Sequence, residues 1–202
     1  MPQLRCGVSK AEEVTSRCPD SPLSLSVWWG TVTGKGEGAM QKISVYRHMP
    51  AGVITIGEQR GMINYIDFGD EIRFAAEYDG PYEVEETPMI LQAKEQLEEY
   101  FRGERKEFGL PLLTEGTEFQ VRVWDALRTI PYGETRSYKE VAEMIGNPKA
   151  SRAVGLANNR NRISIVIPCH RVIGASGKMV GYGGGINIKE LLLDLEKENS
   201  RK

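Results

Sequence analysis

Cysteine and histidine are scarce in this chain of 202 residues, which holds three of the first and two of the second. Cys6, Cys18 and Cys169 are an odd number at irregular spacing, which excludes a complete disulfide framework and leaves at least one thiol free. Cys6, Cys18 and His48 match no zinc-ligand pattern, so no metal is expected, and no cofactor either. Runs of roughly eighteen or more apolar residues are missing, so no segment reads as a membrane-spanning helix. The first residues, MPQLRCGVSK, lack the apolar stretch of a secretory signal. Together these absences set the expectation of a cytoplasmic protein, without membrane attachment, in which a thiol stays reduced and reactive.

What is present is the composition of an ordinary globular chain, 40% hydrophobic and 27% charged. Its length suits one compact domain or two small ones. The net charge of -2 conceals an asymmetry: residues 117–202 carry a net +5 and residues 1–116 a net -7. An acidic half joined to a basic half points to a polyanionic partner for the second.

Residues 1–39 are rich in Ser, Thr, Gly and Pro without periodicity, and read as a weakly ordered leader or as translation from an upstream start codon. Within them Val27-Trp28-Trp29 is the cluster best able to pack on a neighbour. From Met40 to about residue 85, β-rich runs alternate with turns: Ile43–Tyr46, Val53–Gly57, Ile63–Phe68 and Ile72–Ala76, with hairpin turns expected at Glu58–Gly61 and Gly69-Asp70. Pro88 opens a helix with Ile90, Leu91, Leu97 and Tyr100-Phe101 as its apolar stripe, and Gly103 ends it. In the second half, Thr117-x-x-Gln120 and Ser137-x-x-Glu140 are capping boxes. Gly146 stops the second of these helices, and Asn147 is expected to cap a third with Pro148 in its first position. Two short helices around a Gly-Asn-Pro corner read as a helix-turn-helix, and Lys149, Ser151 and Arg152 suit a DNA-facing element. The expected fold is α/β: a small N-terminal β-sheet with a helix over 40–113, then a mainly α-helical C-terminal domain over 114–202 that holds the helix-turn-helix and the active site.

The segment ISIVIPCHRVIG, residues 163–174, carries the chemistry. A β-branched apolar run stops at Pro168, which sets the backbone, and delivers Cys169 beside His170. The thiolate is the reactive form of a group whose free pKa is about 8.5, and a neighbouring imidazole oriented by a carboxylate can take the thiol proton. A buried structural cysteine is the alternative that the Cys-His pair alone leaves open.

Ile167-Pro168-Cys169-His170-Arg171-Val172 resembles the active-site signature of the O6-alkylguanine-DNA alkyltransferases. The resemblance extends to Val123-Trp124, Ile130-Pro131-Tyr132-Gly133-Glu134-Thr135, Ser137-Tyr138, Gly146-Asn147-Pro148, Arg152-Ala153-Val154-Gly155, Asn161, Gly181-Tyr182-Gly183-Gly184 and Lys189…Leu192…Glu196. Its broad layout covers residues 40 to 198, and its dense motifs 117–196. The family pattern usually has Pro after Asn161; here Arg162 follows, which puts the rigidity of that turn in question and adds a cation.

The resemblance implies an irreversible, stoichiometric transfer of a methyl or other alkyl group from O6 of guanine in double-stranded DNA to Cys169. O4 of thymine stands as a second candidate position. It makes His170 the base, acting through a water, and Glu196 the residue that orients it. Asn161 would order the site by bridging the helix-turn-helix to the active-site strand, and Tyr138 would donate to the departing guanine. It implies a base flipped into the protein from the minor groove, with Arg152 filling the vacated space and Tyr138, Lys139, Asn147 and Ser151 on the backbone. Tyr182, Gly183 and Gly184 would form the pocket loop, in a monomer that needs no cofactor. A lesion-binding sensor without catalysis is the alternative, and Cys169 argues against it.

Overall fold

The computed structural model describes residues 39–179 and 181–200; the leader expectation, with Val27-Trp28-Trp29, Cys6 and Cys18, lies outside them except for Ala39. The first element is a meander of three antiparallel strands, β1 (Gln41–His48), β2 (Gly52–Gln59) and β3 (Met62–Phe68). The β-branched residues on these strands bury two faces. Ile54, Ile56 and Ile66 join the main core, while Ile43 and Tyr65 form a smaller cluster with Phe74.

Phe74 belongs to α1 (Glu71–Glu77), where a fourth strand was expected at Ile72–Ala76. The correction has a local cause: the Asp70 side chain accepts from the Arg73 backbone N–H, capping a helix start where a hairpin turn was expected. Only Phe74 of this helix is buried and Ile72 is 79% exposed, so the apolar residues follow a narrow helical stripe. The fourth strand is instead β4 (Tyr82–Val84), parallel to β1, which gives the order β3-β2-β1-β4. Thr87 caps α2 (Pro88–Phe101), whose Ile90, Ala93, Leu97 and Tyr100 are fully buried against the sheet.

Both capping boxes of the second half form, on α3 (Glu118–Arg128) and α4 (Tyr138–Met144). The third helix, α5 (Ser151–Asn159), starts later than expected. Ala150 N–H bonds to the Asn147 carbonyl at 2.9 Å, so Asn147-Pro148-Lys149-Ala150 is a tight turn, and Ala150 occupies the cap without a side-chain bond. Trp124 Nε1 donates to the Ala157 carbonyl at 2.9 Å and fastens α3 to α5.

The run expected to be a strand at 163–167 forms only isolated bridges. It docks on the edge of β3, where Ile66 N–H donates to the Arg162 carbonyl (2.8 Å) and Ser164 N–H to the Ile66 carbonyl (2.7 Å). It then turns back at Ile165, whose φ is +73°. A β-branched residue there stores about 1–3 kcal/mol of strain, held in place because Ile163, Ile165 and Ile167 are all buried. A short 3-10 turn, Cys169–Arg171, leads into β6 (Val172–Ile173), which pairs in parallel with β5 (Arg136–Ser137). The last helix, α6 (Ile186–Asn199), closes the back of the site. One continuous core joins the two halves, running from Ile54 and Ile66 through Val123 and Ile167 to Leu192.

Candidate active site

The docked segment, the turn after it and α6 bring the reactive groups together. Cys169 opens the 3-10 turn, 4% exposed, with its own N–H bonded to the Ile167 carbonyl at 2.8 Å. Asn161, just after α5, organises the segment. Its Nδ2 donates to the Ile167 carbonyl (2.9 Å) and to Cys169 Sγ (3.2 Å), and its Oδ1 accepts from Ile163 N–H (3.0 Å). Asn158 on α5 donates from Nδ2 to the Cys169 carbonyl at 3.2 Å. Burial pushes the Cys169 thiol up to about 11, against the opposing Asn161 hydrogen bond. The resting group is therefore the thiol.

His170 is fully buried, and its Nε2 lies 2.8 Å from Glu196 Oε1. A carboxylate only accepts, so Nε2 carries the hydrogen and Nδ1 holds the lone pair. Nδ1 makes no hydrogen bond in the protein. Burial lowers the imidazole below its ordinary value against the pull of Glu196, so the ring is neutral at neutral pH. Glu196 is fully buried on α6, and its two oxygens also accept from Tyr100 Oη (2.8 Å), Gly133 N–H (3.0 Å) and the Arg171 guanidinium. Burial acts to raise this carboxyl, but the hydrogen bonds and charges of His170 and Arg171 outweigh it and hold it at about 2. With His170 neutral, Arg171 is its standing counter-charge.

Arg171 and Tyr100 were not singled out from the sequence as site residues. Arg171 sits inside the Pro-Cys-His-Arg run, where a cation beside a buried imidazole was the available signal. Lys189, also unassigned then, is buried one face-repeat before Leu192 and Glu196 and donates from Nζ to the Val172 carbonyl at 2.6 Å. Two charges on the apolar stripe of α6 were the signal that this helix buries ions.

Cys169 lies at the base of a cleft of about 380 Å³, whose walls include Asp67, Arg73, Asn158, Arg162, Tyr182 and Gly183. Asp67 and Arg73 come from the sheet half, which sequence reasoning left without site residues. Arg162 is exposed and donates to the Glu77 carbonyl at 3.4 Å. Tyr138, the first residue of α4, is half-buried outside the cleft lining, and its ring faces Gly155 of α5. Burial raises its phenol, with a further contribution from nearby Cys169, so it stays protonated. Arg152, Lys139 and Asn147 are exposed and Ser151 half-buried on the α4–α5 unit. The structure thus gathers Cys169, His170, Asn161 and Glu196 into one buried cluster and places Tyr182 and Gly183 on the cleft wall. The four helix-turn-helix residues stand apart from that cluster.

Residues 43–114 match the family description "6-O-methylguanine DNA methyltransferase, ribonuclease-like domain", and residues 118–198 match "6-O-methylguanine DNA methyltransferase, DNA binding domain". The chain is 54% identical over 147 residues to a methylated-DNA–protein-cysteine methyltransferase of Methanosarcina acetivorans, covering 73% of this chain and 93% of the relative. It is 62% identical over 112 residues to the protein of that name from Mycobacterium leprae, covering 55% of this chain and 68% of the relative. Among solved structures, Mycobacterium tuberculosis OGT in complex with DNA is similar at a TM-score of 0.68 and 46% identity, over 78% of this chain and 94% of that one. The chain belongs to the 6-O-methylguanine DNA methyltransferase family.

Proposed function

We infer that Cys169 is the acceptor in the methyl transfer that defines this family, and that the surrounding residues divide the work as follows. The chain is a methylated-DNA–protein-cysteine S-methyltransferase that repairs DNA by direct reversal. The observation that carries the assignment to Cys169 is its position at the base of the cleft, bonded to Asn161 and followed by the buried His170–Glu196 pair.

His170 Nδ1, the lone pair left by the Glu196 contact, takes the thiol proton through a water. Sγ attacks the alkyl carbon in line. The C–O6 bond breaks, and its electron pair leaves with guanine. The negative charge that develops on the base meets the Tyr138 hydroxyl, and removal of one such donor costs roughly 10²–10³ in rate. Glu196 orients the imidazole and balances the charge it acquires. The product thioether has no labile bond at neutral pH, so each molecule acts once.

A guanine O6 inside a duplex cannot reach a buried sulfur, so the nucleotide is flipped out, at roughly a few kcal/mol. The exposed Arg152 at the start of α5 fills the gap from the minor groove. Lys139, Asn147, Ser151 and Tyr138 hold the flanking backbone, while Tyr182, Gly183 and Gly184 wall the base pocket. The catalytic cluster and the cleft are complete within one chain, which supports action as a monomer, and cytoplasmic DNA is its setting. Among the described residues no helix is long and apolar enough to cross a membrane.

The test is the intact mass after incubation with a duplex containing O6-methylguanine, run beside Cys169→Ala. The expected result is a gain of one methyl group per chain, mapped to the Cys169 peptide and absent from the variant. Binding of the lesion without a gain in mass would make the protein a damage sensor instead.

A further inference from the structure

We propose that Arg73, in the sheet half of the molecule, is a positioning residue that sets the size of alkyl group Cys169 accepts. The inference rests on the reading of Cys169 as acceptor. The Arg73 guanidinium engages four oxygens: Nη1 donates to the Phe68 carbonyl at 2.6 Å, Nη2 donates to Asp67 Oδ2 and to the Gly183 carbonyl, both at 3.1 Å, and Nε donates to Glu77 Oε1 on its own helix at 3.3 Å. Asp67 uses its other oxygen to accept from Ser164 Oγ at 3.0 Å. One ion pair therefore fastens the end of β3, the start of α1, the segment leading to Cys169 and the pocket loop, on the wall of the cleft that ends at Cys169.

Packing places the loop on the same support. A Cβ on Gly184 would stand 2.7 Å from the Phe68 ring, and one on Gly183 3.6 Å from Asp67 Oδ2, so these glycines let the loop lie flat against the end of β3. The Phe68 and Tyr182 ring centroids are 6.1 Å apart. The Tyr182 wall thus has the sheet half at its back, and the Arg73–Gly183 bond sets its distance from the sulfur. Without the guanidinium, Gly183 loses its donor and the buried Asp67 loses its counter-charge. Both changes free the loop to move outward.

The two ends of the substrate range respond differently. Methyl transfer needs the small group confined near a contact distance of about 3–3.5 Å from the sulfur, which a loosened wall no longer enforces. A benzyl group fills the enlarged space and keeps its own alignment. Loss of Arg73 therefore moves selectivity toward bulk, whereas a merely structural role lowers both rates alike.

The experiment measures second-order transfer rates, by intact mass, from duplexes containing O6-methylguanine or O6-benzylguanine to wild type, Arg73→Ala, Arg73→Lys and Asp67→Asn. The benzyl-to-methyl rate ratio is expected to rise about tenfold in Arg73→Ala, mainly through slower methyl transfer. Arg73→Lys, which keeps a donor for one acceptor, restores part of the wild-type ratio, and Asp67→Asn falls between. Hydrogen exchange across residues 181–185 should quicken in the same order. A folded Arg73→Ala protein whose ratio stays within about twofold of wild type overturns the proposal, even if both rates drop. Should Arg73→Ala fail to fold, the ratio in Asp67→Asn decides by the same criterion. A wild-type protein that gains no methyl group removes the Cys169 reading and this inference with it; a reactive wild type with an unchanged variant ratio removes only the inference.

Discussion

Replacing Glu196 with Gln changes little in shape and much in charge. The carboxylate is fully buried and accepts from Tyr100, His170, Arg171 and Gly133. A Gln side chain offers one accepting oxygen, and its amide N–H groups would face the Arg171 guanidinium or the Gly133 N–H, donor against donor. Arg171, 6% exposed, would keep its charge without a partner. Breaking a buried pair in this way costs about 3–5 kcal/mol. The carboxyl itself leads to a similar figure, since a fall from 4.5 to about 2 corresponds to about 3 kcal/mol of folding free energy. For a chain of this size a cost of about 3–5 kcal/mol lowers Tm by about 6–20 °C. A group whose pKa is lowered in the folded state contributes stability that is complete above its unfolded value and lost as pH falls through its folded value. The gap between wild type and Glu196→Gln should therefore be full at neutral pH and close between pH 4.5 and about 2. Urea unfolding followed by tryptophan fluorescence, at neutral pH and then downward from pH 4.5, measures both. A neutral-pH gap below about 1 kcal/mol, the size of an exposed pair, would refute the account of a buried charge network.

Three further outcomes follow from the site and its scaffold. Carbamidomethylation of Cys169 by iodoacetamide should quicken about tenfold per pH unit from neutrality toward about 11, with Asn161→Ala slower at every pH because Sγ loses its donor; a plateau below pH 9 in mass-spectrometric time courses would contradict the raised thiol. Arg152→Ala should slow methyl transfer from duplex by about a hundredfold and leave reaction with free O6-benzylguanine base within about twofold, since only the duplex requires flipping; equal losses in the two assays would rule out the wedge role. Gly103→Ala should lose at least about 1–2 kcal/mol in thermal unfolding, because φ is +74° there and a Cβ would stand 2.4 Å from the Asn199 side chain that closes α6 on α2.

Much of the architecture was legible because it is decided within a few residues. Thr117-x-x-Gln120 and Ser137-x-x-Glu140 specify helix starts through bonds that close inside one turn, and both form as expected. The helix from Pro88 carries its own start signal and apolar stripe. The Cys-His pair and the opposed charges of the two halves also belong to the sequence, since they need only adjacency and counting. Reading failed once on a local signal, the Asp70 cap, and elsewhere because the deciding partner was distant. Ile72–Ala76 looks extended until Asp70 caps a helix, and 163–167 looks like a strand until β3 bonds it at one point and Ile165 reverses it. Glu196 was named from the sequence and shares the apolar stripe of α6 with Lys189, but its bonds to Tyr100, Gly133 and Arg171 come from three other segments that no local pattern brings to it. The same holds for Asp67 and Arg73, which reach the cleft only because the sheet half packs behind the pocket loop. The sequence by itself determined the capped starts of α2, α3 and α4, the adjacency of Cys169 and His170, and the charge asymmetry between the halves. The tertiary structure decided which charges are buried, and hence which protonation states the site holds, because desolvation and counter-charge depend on segments brought together across the whole chain.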